Sequence, residues 1–162
     1  MMNLISISKN SKKQKSKKIV FTNGVFDILT YAHVQLLKKA KKLGDILIVG
    51  LNSNKSTKGL GKIPPRPINS EFVRKGILES IRYVDKVVIF DELTPEKLIK
   101  KIKPNILVKG GDYNKKQVIG KKIVESYGGK VVIIPYIKGF STTELIKKIQ
   151  QLENSSLSRR SI

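Results

Sequence analysis

The single histidine of the chain, His33, closes the stretch Thr22-Asn23-Gly24-Val25-Phe26-Asp27-Ile28-Leu29-Thr30-Tyr31-Ala32-His33. An imidazole near the start of a helix adds a directional donor to the pull that free N–H groups exert on phosphate. The same ring could instead cap the helix or lie hydrogen-bonded in a core. Gly24 permits a tight turn or a close approach of backbone to ligand. Asp27 either meets a substrate or fixes the turn through its own side chain. A second constellation, Ser141-Thr142-Thr143-Glu144, follows Gly139-Phe140. Three hydroxyls at a helix N-terminus make a phosphate cradle, while Ser141 with Glu144 also reads as a plain capping box. Lys55, Lys58, Lys62 and Arg66 lie in a polar stretch with three prolines and two glycines. Cations there could close over a triphosphate and offset charge that develops during phosphoryl transfer. In so lysine-rich a chain, each of them also reads as surface charge. Lys109-Gly110-Gly111-Asp112-Tyr113 ends an apolar run with two glycines and an acid, which suits a binding edge for a hydroxylated substrate or a simple turn.

These residues fall between alternating strand-like and helix-like segments. Strands are predicted at 18–22, 45–51, 86–90, 105–110 and 130–136, each a short apolar run. The run at 45–51 is almost continuously apolar, as expected of a strand covered on both faces. Helices are predicted from about His33 to Leu43 with Gly44 as the cap, from about Ser70 to Tyr83, and from Thr94-Pro95 to about Ile102. Two more are predicted around 115–127, ending at Gly128-Gly129, and from Ser141 to about Gln151. The alternation predicts a Rossmann-like, doubly wound α/β domain with a five-stranded parallel sheet. In such sheets ligands bind beyond the carboxyl ends of the strands, which places the candidate residues on four loops, 22–33, 52–68, 110–114 and 136–143.

The 162 residues suffice for one domain, expected at 17–152, with a basic mobile tail at 1–16 and a second tail at 153–162. The chain has no cysteine, so disulfides, thiolate metal sites and cysteine nucleophiles are excluded. No apolar run approaches the roughly 18 residues that span a bilayer, and the N-terminal charges follow the apolar stretch, the reverse of a secretory signal. A cytoplasmic protein without a membrane partner is expected. The net charge is +21, carried by 28 Lys against 5 Arg along the whole length. A dedicated nucleic-acid reader uses more Arg and more stacking aromatics, so no specific nucleic-acid partner is expected. Such a surface draws in anionic substrates.

Read together, residues 18–150 resemble the cytidylyltransferase-like nucleotidyltransferases, and within them the heptose 1-phosphate adenylyltransferases. The resemblance is carried by FTNGVFDILTYAHVQLLKKAKKLGD, LNSN, the long stretch from RPINSEFVRKG through VDKVVIFDELTPEKL to ILVKGGDY, and FSTTELIKKI. It implies transfer of AMP from ATP to a sugar phosphate, with pyrophosphate leaving and Mg²⁺ arriving with ATP. His33 would donate to a phosphate oxygen, with Thr30 and Lys62 beside it in the catalytic set. Asn23, Gly24, Val25 and Phe26 would line the nucleotide pocket, Arg74 would hold phosphates, and Ser141, Thr142 and Thr143 would bind the triphosphate. Asp27, Arg66, Gly111 and Asp112 would face the acceptor. The resemblance also implies a separate sugar kinase upstream and suggests a homodimer. The sequence departs from the family pattern H-x-G-H, with Thr30-Tyr31-Ala32-His33, and has Asn54 where the heptose branch usually has Asp. A cytidylyltransferase of another polyol or amino-alcohol phosphate and a non-catalytic relative are the alternatives.

Overall fold

The five apolar runs form one parallel sheet in the order β3-β2-β1-β4-β5. In this computed structural model the described residues are 16–61, 63, 65–111, 117–135, 137 and 139–158. The strands are β1 Ile19–Gly24, β2 Ile46–Asn52, β3 Lys86–Phe90, β4 Ile106–Gly110 and β5 Lys130–Ile134. The helices are α1 Tyr31–Lys41, α2 Asn54–Gly59, α3 Glu71–Glu79, α4 Glu96–Ile102, α5 Lys121–Glu125 and α6 Thr142–Ser158. The doubly wound expectation holds.

Side chains alternate across a strand, so both faces of this sheet must be covered. Val20 of β1, Leu47, Val49 and Leu51 of β2, and Val108 of β4 pack with Leu37 of α1 and Leu78 of α3. Their neighbours Phe21, Ile48 and Leu107 pack on the other face with Ile99 of α4 and Val124 of α5. Phe21 pairs in register with Ile48 on one side and Leu107 on the other. Strand order reverses between β1 and β4, and the switch point opens there. Among the described residues no helix is long and apolar enough to cross a membrane.

Several boundaries differ from the sequence expectation. Helix α1 starts at Tyr31, with extended Thr30 as its N-cap, and its C-cap is Lys42, not Gly44. Gly44 serves close packing, since a Cβ there would lie 2.7 Å from the Lys18 carbonyl oxygen. The stretch 52–68 contains a short helix, α2, capped by Ser53, which accepts from Ser56 N. Helix α3 stops at Glu79 instead of continuing to Tyr83; the Ser80 hydroxyl donates back to the Gly76 carbonyl at 2.9 Å, competing with the helical ladder. Pro95 is the N-cap of α4, and Thr94 makes no capping bond. Helix α5 is shorter than expected, and Gly120 with φ 89° precedes it. Helix α6 runs beyond Gln151 to Ser158. The expected N-terminal tail lies, apart from Ser16, outside the described residues.

Candidate active site

At the switch point the carboxyl ends of β1 and β4 diverge, and a cavity of about 370 Å³ opens between them. Its wall is built from Asn23 and Gly24 of β1, Val25 to Asp27 after it, His33 and Leu36 of α1, Ile63 and Arg66 before α3, Lys109 and Gly110 of β4, and Thr142 and Thr143 of α6.

The loop after β1 is held by an unusual backbone and by buried polar bonds. Phe26 is buried at φ 43°, a left-handed conformation that a bulky residue adopts only when its surroundings impose it. Its ring packs on Gly24, where a Cβ would come within 3.2 Å of Phe26 Cε2. Asp27 is buried, and its carboxylate accepts from Ile68 N at 2.8 Å, Asn69 N at 2.8 Å and Arg66 Nη1 at 3.1 Å. Burial raises the Asp27 pKa, but the N–H bonds from Asn69 and Ile68 and the Arg66 guanidinium outweigh it and hold the carboxyl below its ordinary value. The acid is thus an anchor that fixes residues 66–69 against the β1 loop and carries Arg66 to the cavity wall.

His33 sits in the first turn of α1. Its Nδ1 is 3.1 Å from Thr30 N and 2.9 Å from Thr30 Oγ1. A backbone N–H can only donate, so Nδ1 accepts and the neutral ring carries its proton on Nε2. The Phe26 ring stands 5.6 Å from the imidazole, tilted by 59°. Across the cavity, Thr142 Oγ1 donates to the Ile28 carbonyl at 2.9 Å and ties the start of α6 to the β1 loop. Ser141 donates from both N and Oγ to the Glu144 carboxylate and accepts from Glu144 N, which completes a capping box.

Lys109 is partly buried at the end of β4 and donates to Asn23 Oδ1. Its withdrawal from water lowers its pKa to about 8. Among the described residues no carboxylate lies within ion-pairing distance of it. The described residues also hold no cluster of three metal-ligating side chains.

The cytidylyltransferase-like family model matches residues 21–156, which includes every residue that lines this cavity. The chain belongs to the cytidylyltransferase-like family. The cavity at the switch point is its candidate active site. The chain is 56% identical over 138 residues to the bifunctional protein HldE of Campylobacter jejuni subsp. doylei, and 49% identical over 140 residues to that of Geotalea uraniireducens. These matches cover 85% and 86% of this chain but only 29% and 28% of the relatives, so the chain spans less than a third of their length. A lipopolysaccharide core biosynthesis protein from Thermoplasma volcanium superposes with a TM-score of 0.63 at 30% identity, over 76% of this chain and 98% of that one. A pantoate-beta-alanine ligase from Francisella tularensis, at 23% identity and TM-score 0.55 over 75% of this chain and 60% of its own, shares the fold.

Within this family member the structure brings nine of the sequence-predicted residues to one wall: Asn23, Gly24, Val25, Phe26, Asp27, His33, Arg66, Thr142 and Thr143. Four others stand elsewhere. Arg74 does not reach the cavity: it is 0% exposed, and its guanidinium donates to the carbonyls of Val25, Asn52 and Asn69 and to Asn54 Oδ1. With those four oxygens engaged it is a strut beneath the loops, not a phosphate clamp. Ser141 is engaged with Glu144. Gly111, at φ 121°, donates its N–H to the Ile134 carbonyl and shapes the turn. Thr30 orients His33 and does not line the cavity. Lys62 and Asp112 lie outside the described residues. Ala32, which replaces the family glycine, is 5% exposed and forms no part of the cavity wall. Sequence reasoning missed Leu36 and Ile63 as wall residues and named Lys109 and Gly110 only within a candidate binding edge for a hydroxylated substrate. Lys109 carried one signal, a charge ending an otherwise apolar strand.

Proposed function

We propose that this chain transfers the adenylyl group of ATP to heptose 1-phosphate, releasing pyrophosphate and forming ADP-heptose for lipopolysaccharide core synthesis. One observation carries the reading: a single cavity at the switch point joins the start of α1, with His33, to the start of α6, with Thr142 and Thr143. Both helix ends favour anions, and together they offer two phosphate-binding positions on one wall. The heptose acceptor follows from the resemblance of residues 18–150, and the similarity to the Thermoplasma lipopolysaccharide core biosynthesis protein supports it.

In this reaction an oxygen of the sugar phosphate attacks the α-phosphorus of ATP. The bond from that phosphorus to the bridging oxygen breaks, and its electrons leave with pyrophosphate. No covalent enzyme intermediate is needed, so catalysis rests on alignment and on donors aimed at developing charge. Thr30 holds the His33 proton on Nε2, where it donates to an oxygen of the transferring phosphate. Thr142 and Thr143 bind the triphosphate; Arg66, fixed by Asp27, faces the acceptor. Mg²⁺ enters as part of the substrate, MgATP, since the described side chains form no cage for a resident ion and the Asp27 carboxylate already has three partners. A sugar kinase acting upstream supplies the 1-phosphate.

The test is pyrophosphate release by the purified chain, with ATP and with CTP, against heptose 1-phosphate. Turnover with ATP that falls by about 10²-fold or more in kcat on His33→Ala is expected. Turnover with CTP alone would move the protein to another branch of the family. No turnover with either nucleotide, in folded protein, would overturn the reading.

A further inference from the structure

Three cations are drawn away from water near this site; Arg66 is paired with Asp27, and Arg74 and Lys109 differ in their partners. The guanidinium of Arg74 meets four oxygens. The ammonium of Lys109 has three donors, and the described residues give it one acceptor, the neutral amide oxygen of Asn23. Among the described residues no carboxylate neutralises it; the Asp27 carboxylate of the same cavity is taken by Arg66, Ile68 and Asn69. A cation withdrawn from water without a counter-charge weakens a fold, and a lysine needed only to hold Asn23 would be an expensive means to that end. An anion entering the cavity would complete it, and the lining of the same cavity carries the phosphate-suited start of α6.

We propose that Lys109 is the phosphate receptor of this cavity, with Asn23 holding its ammonium toward a ligand phosphate oxygen. The phosphate belongs either to the nucleotide or to the acceptor monophosphate. This deepens the transferase reading and rests on it for the choice of ligands. Because the ammonium titrates near 8 in the ligand-free protein, an arriving phosphate draws a proton onto it. At pH 8 that uptake is about half a proton per site.

The experiment is calorimetric titration of the full chain with ATP and, separately, with heptose 1-phosphate at pH 8, in two buffers of different ionisation enthalpy. Wild type, Lys109→Met and Lys109→Arg are compared. The other ionisable groups in the described wall, His33 of α1, Asp27 after β1 and Arg66 before α3, are the same in all three proteins. Wild type is expected to take up about half a proton with one ligand, and Lys109→Met none. Lys109→Met is expected to bind that ligand roughly 10- to 100-fold more weakly, and Lys109→Arg to recover affinity without the uptake. The ligand affected identifies the phosphate. Ligand-free Lys109→Met is expected to melt no lower than wild type; a lower melting temperature with unchanged affinities would make Lys109 a strut and overturn the proposal. So would wild-type binding of both ligands without proton uptake. Lys109-dependent uptake with ATP, but neither binding nor turnover of heptose 1-phosphate, would leave the receptor standing and remove the acceptor. Normal turnover with unchanged affinities in Lys109→Met would do the reverse.

Discussion

The Asp27 anchor makes a quantitative demand on the folded protein. Its carboxylate takes Asn69 N on Oδ1, and Ile68 N and Arg66 Nη1 on Oδ2, from a site where the Asp27 and Arg66 side chains are 3% and 6% exposed. In Asp27→Asn the shape survives, but one oxygen becomes an NH₂ that confronts an N–H, and Arg66 loses its counter-charge. Breaking one side of a buried ion pair costs about 3–5 kcal/mol, which for a chain of this size lowers Tm by roughly 10 °C. Urea unfolding at pH 7 measures it. The pH dependence gives a second reading. Burial raises this carboxyl's pKa, but bonding by Asn69, Ile68 and Arg66 outweighs it and leaves the folded value below the ordinary 3.8. The folded protein therefore takes this proton less readily than the unfolded chain. The stabilisation is complete above the unfolded value and is lost as pH falls through the folded one, so wild type and Asp27→Asn converge only in strong acid. A stability loss under about 1 kcal/mol at pH 7, with a large rise in KM for the sugar phosphate, would refute the anchor and make Asp27 a substrate ligand.

Three further perturbations follow from the same geometry. Arg74→Lys keeps the charge but cannot reach four oxygens at once; a loss of about 2–5 kcal/mol by urea unfolding is expected, and unchanged stability with weaker ATP binding would restore Arg74 to the nucleotide site. Gly44→Ala places a methyl 2.7 Å from the Lys18 carbonyl oxygen, so β1 or the α1–β2 turn must shift at a cost of about 1–3 kcal/mol, read as a lower Tm. Thr142→Val removes the tie from α6 to Ile28 and a cavity hydroxyl; stability should fall by about 1 kcal/mol while KM for ATP rises, and an unchanged KM would remove Thr142 from the triphosphate site.

The layered fold was legible because its signals are local: apolar runs of strand length, and a capping box at Ser141 that Glu144 completes. The cavity residues of the β1 loop were legible because loops beyond the carboxyl ends of parallel strands are where ligands meet such sheets. The errors came from contacts between distant segments. Gly44 looks like a helix cap, yet its lack of a side chain is required by Lys18, 26 residues earlier in the chain. Arg74 looks like a phosphate ligand because guanidinium groups commonly are. Only the fold reveals that Val25, Asn52, Asn54 and Asn69 converge on it. Helix α2 was invisible because six residues, Asn54–Gly59, carry too few turns to show an apolar period.

Arg74 and Lys109 together show how charge can be read in a chain of net charge +21, where most lysines say nothing by themselves. What distinguishes a cation here is the set of oxygens around it once water is removed. A fork with five donors, supplied with four protein oxygens, is finished at folding and has little left for a ligand. An ammonium with three donors, supplied by the described residues with one neutral oxygen and lowered to about 8, is unfinished. The first residue therefore governs whether the loops stand in place. The second governs what they hold. Exchanging the expected outcomes, with Arg74 variants altering affinity and Lys109 variants altering stability, would mean that donor accounting does not separate scaffold from site in this protein.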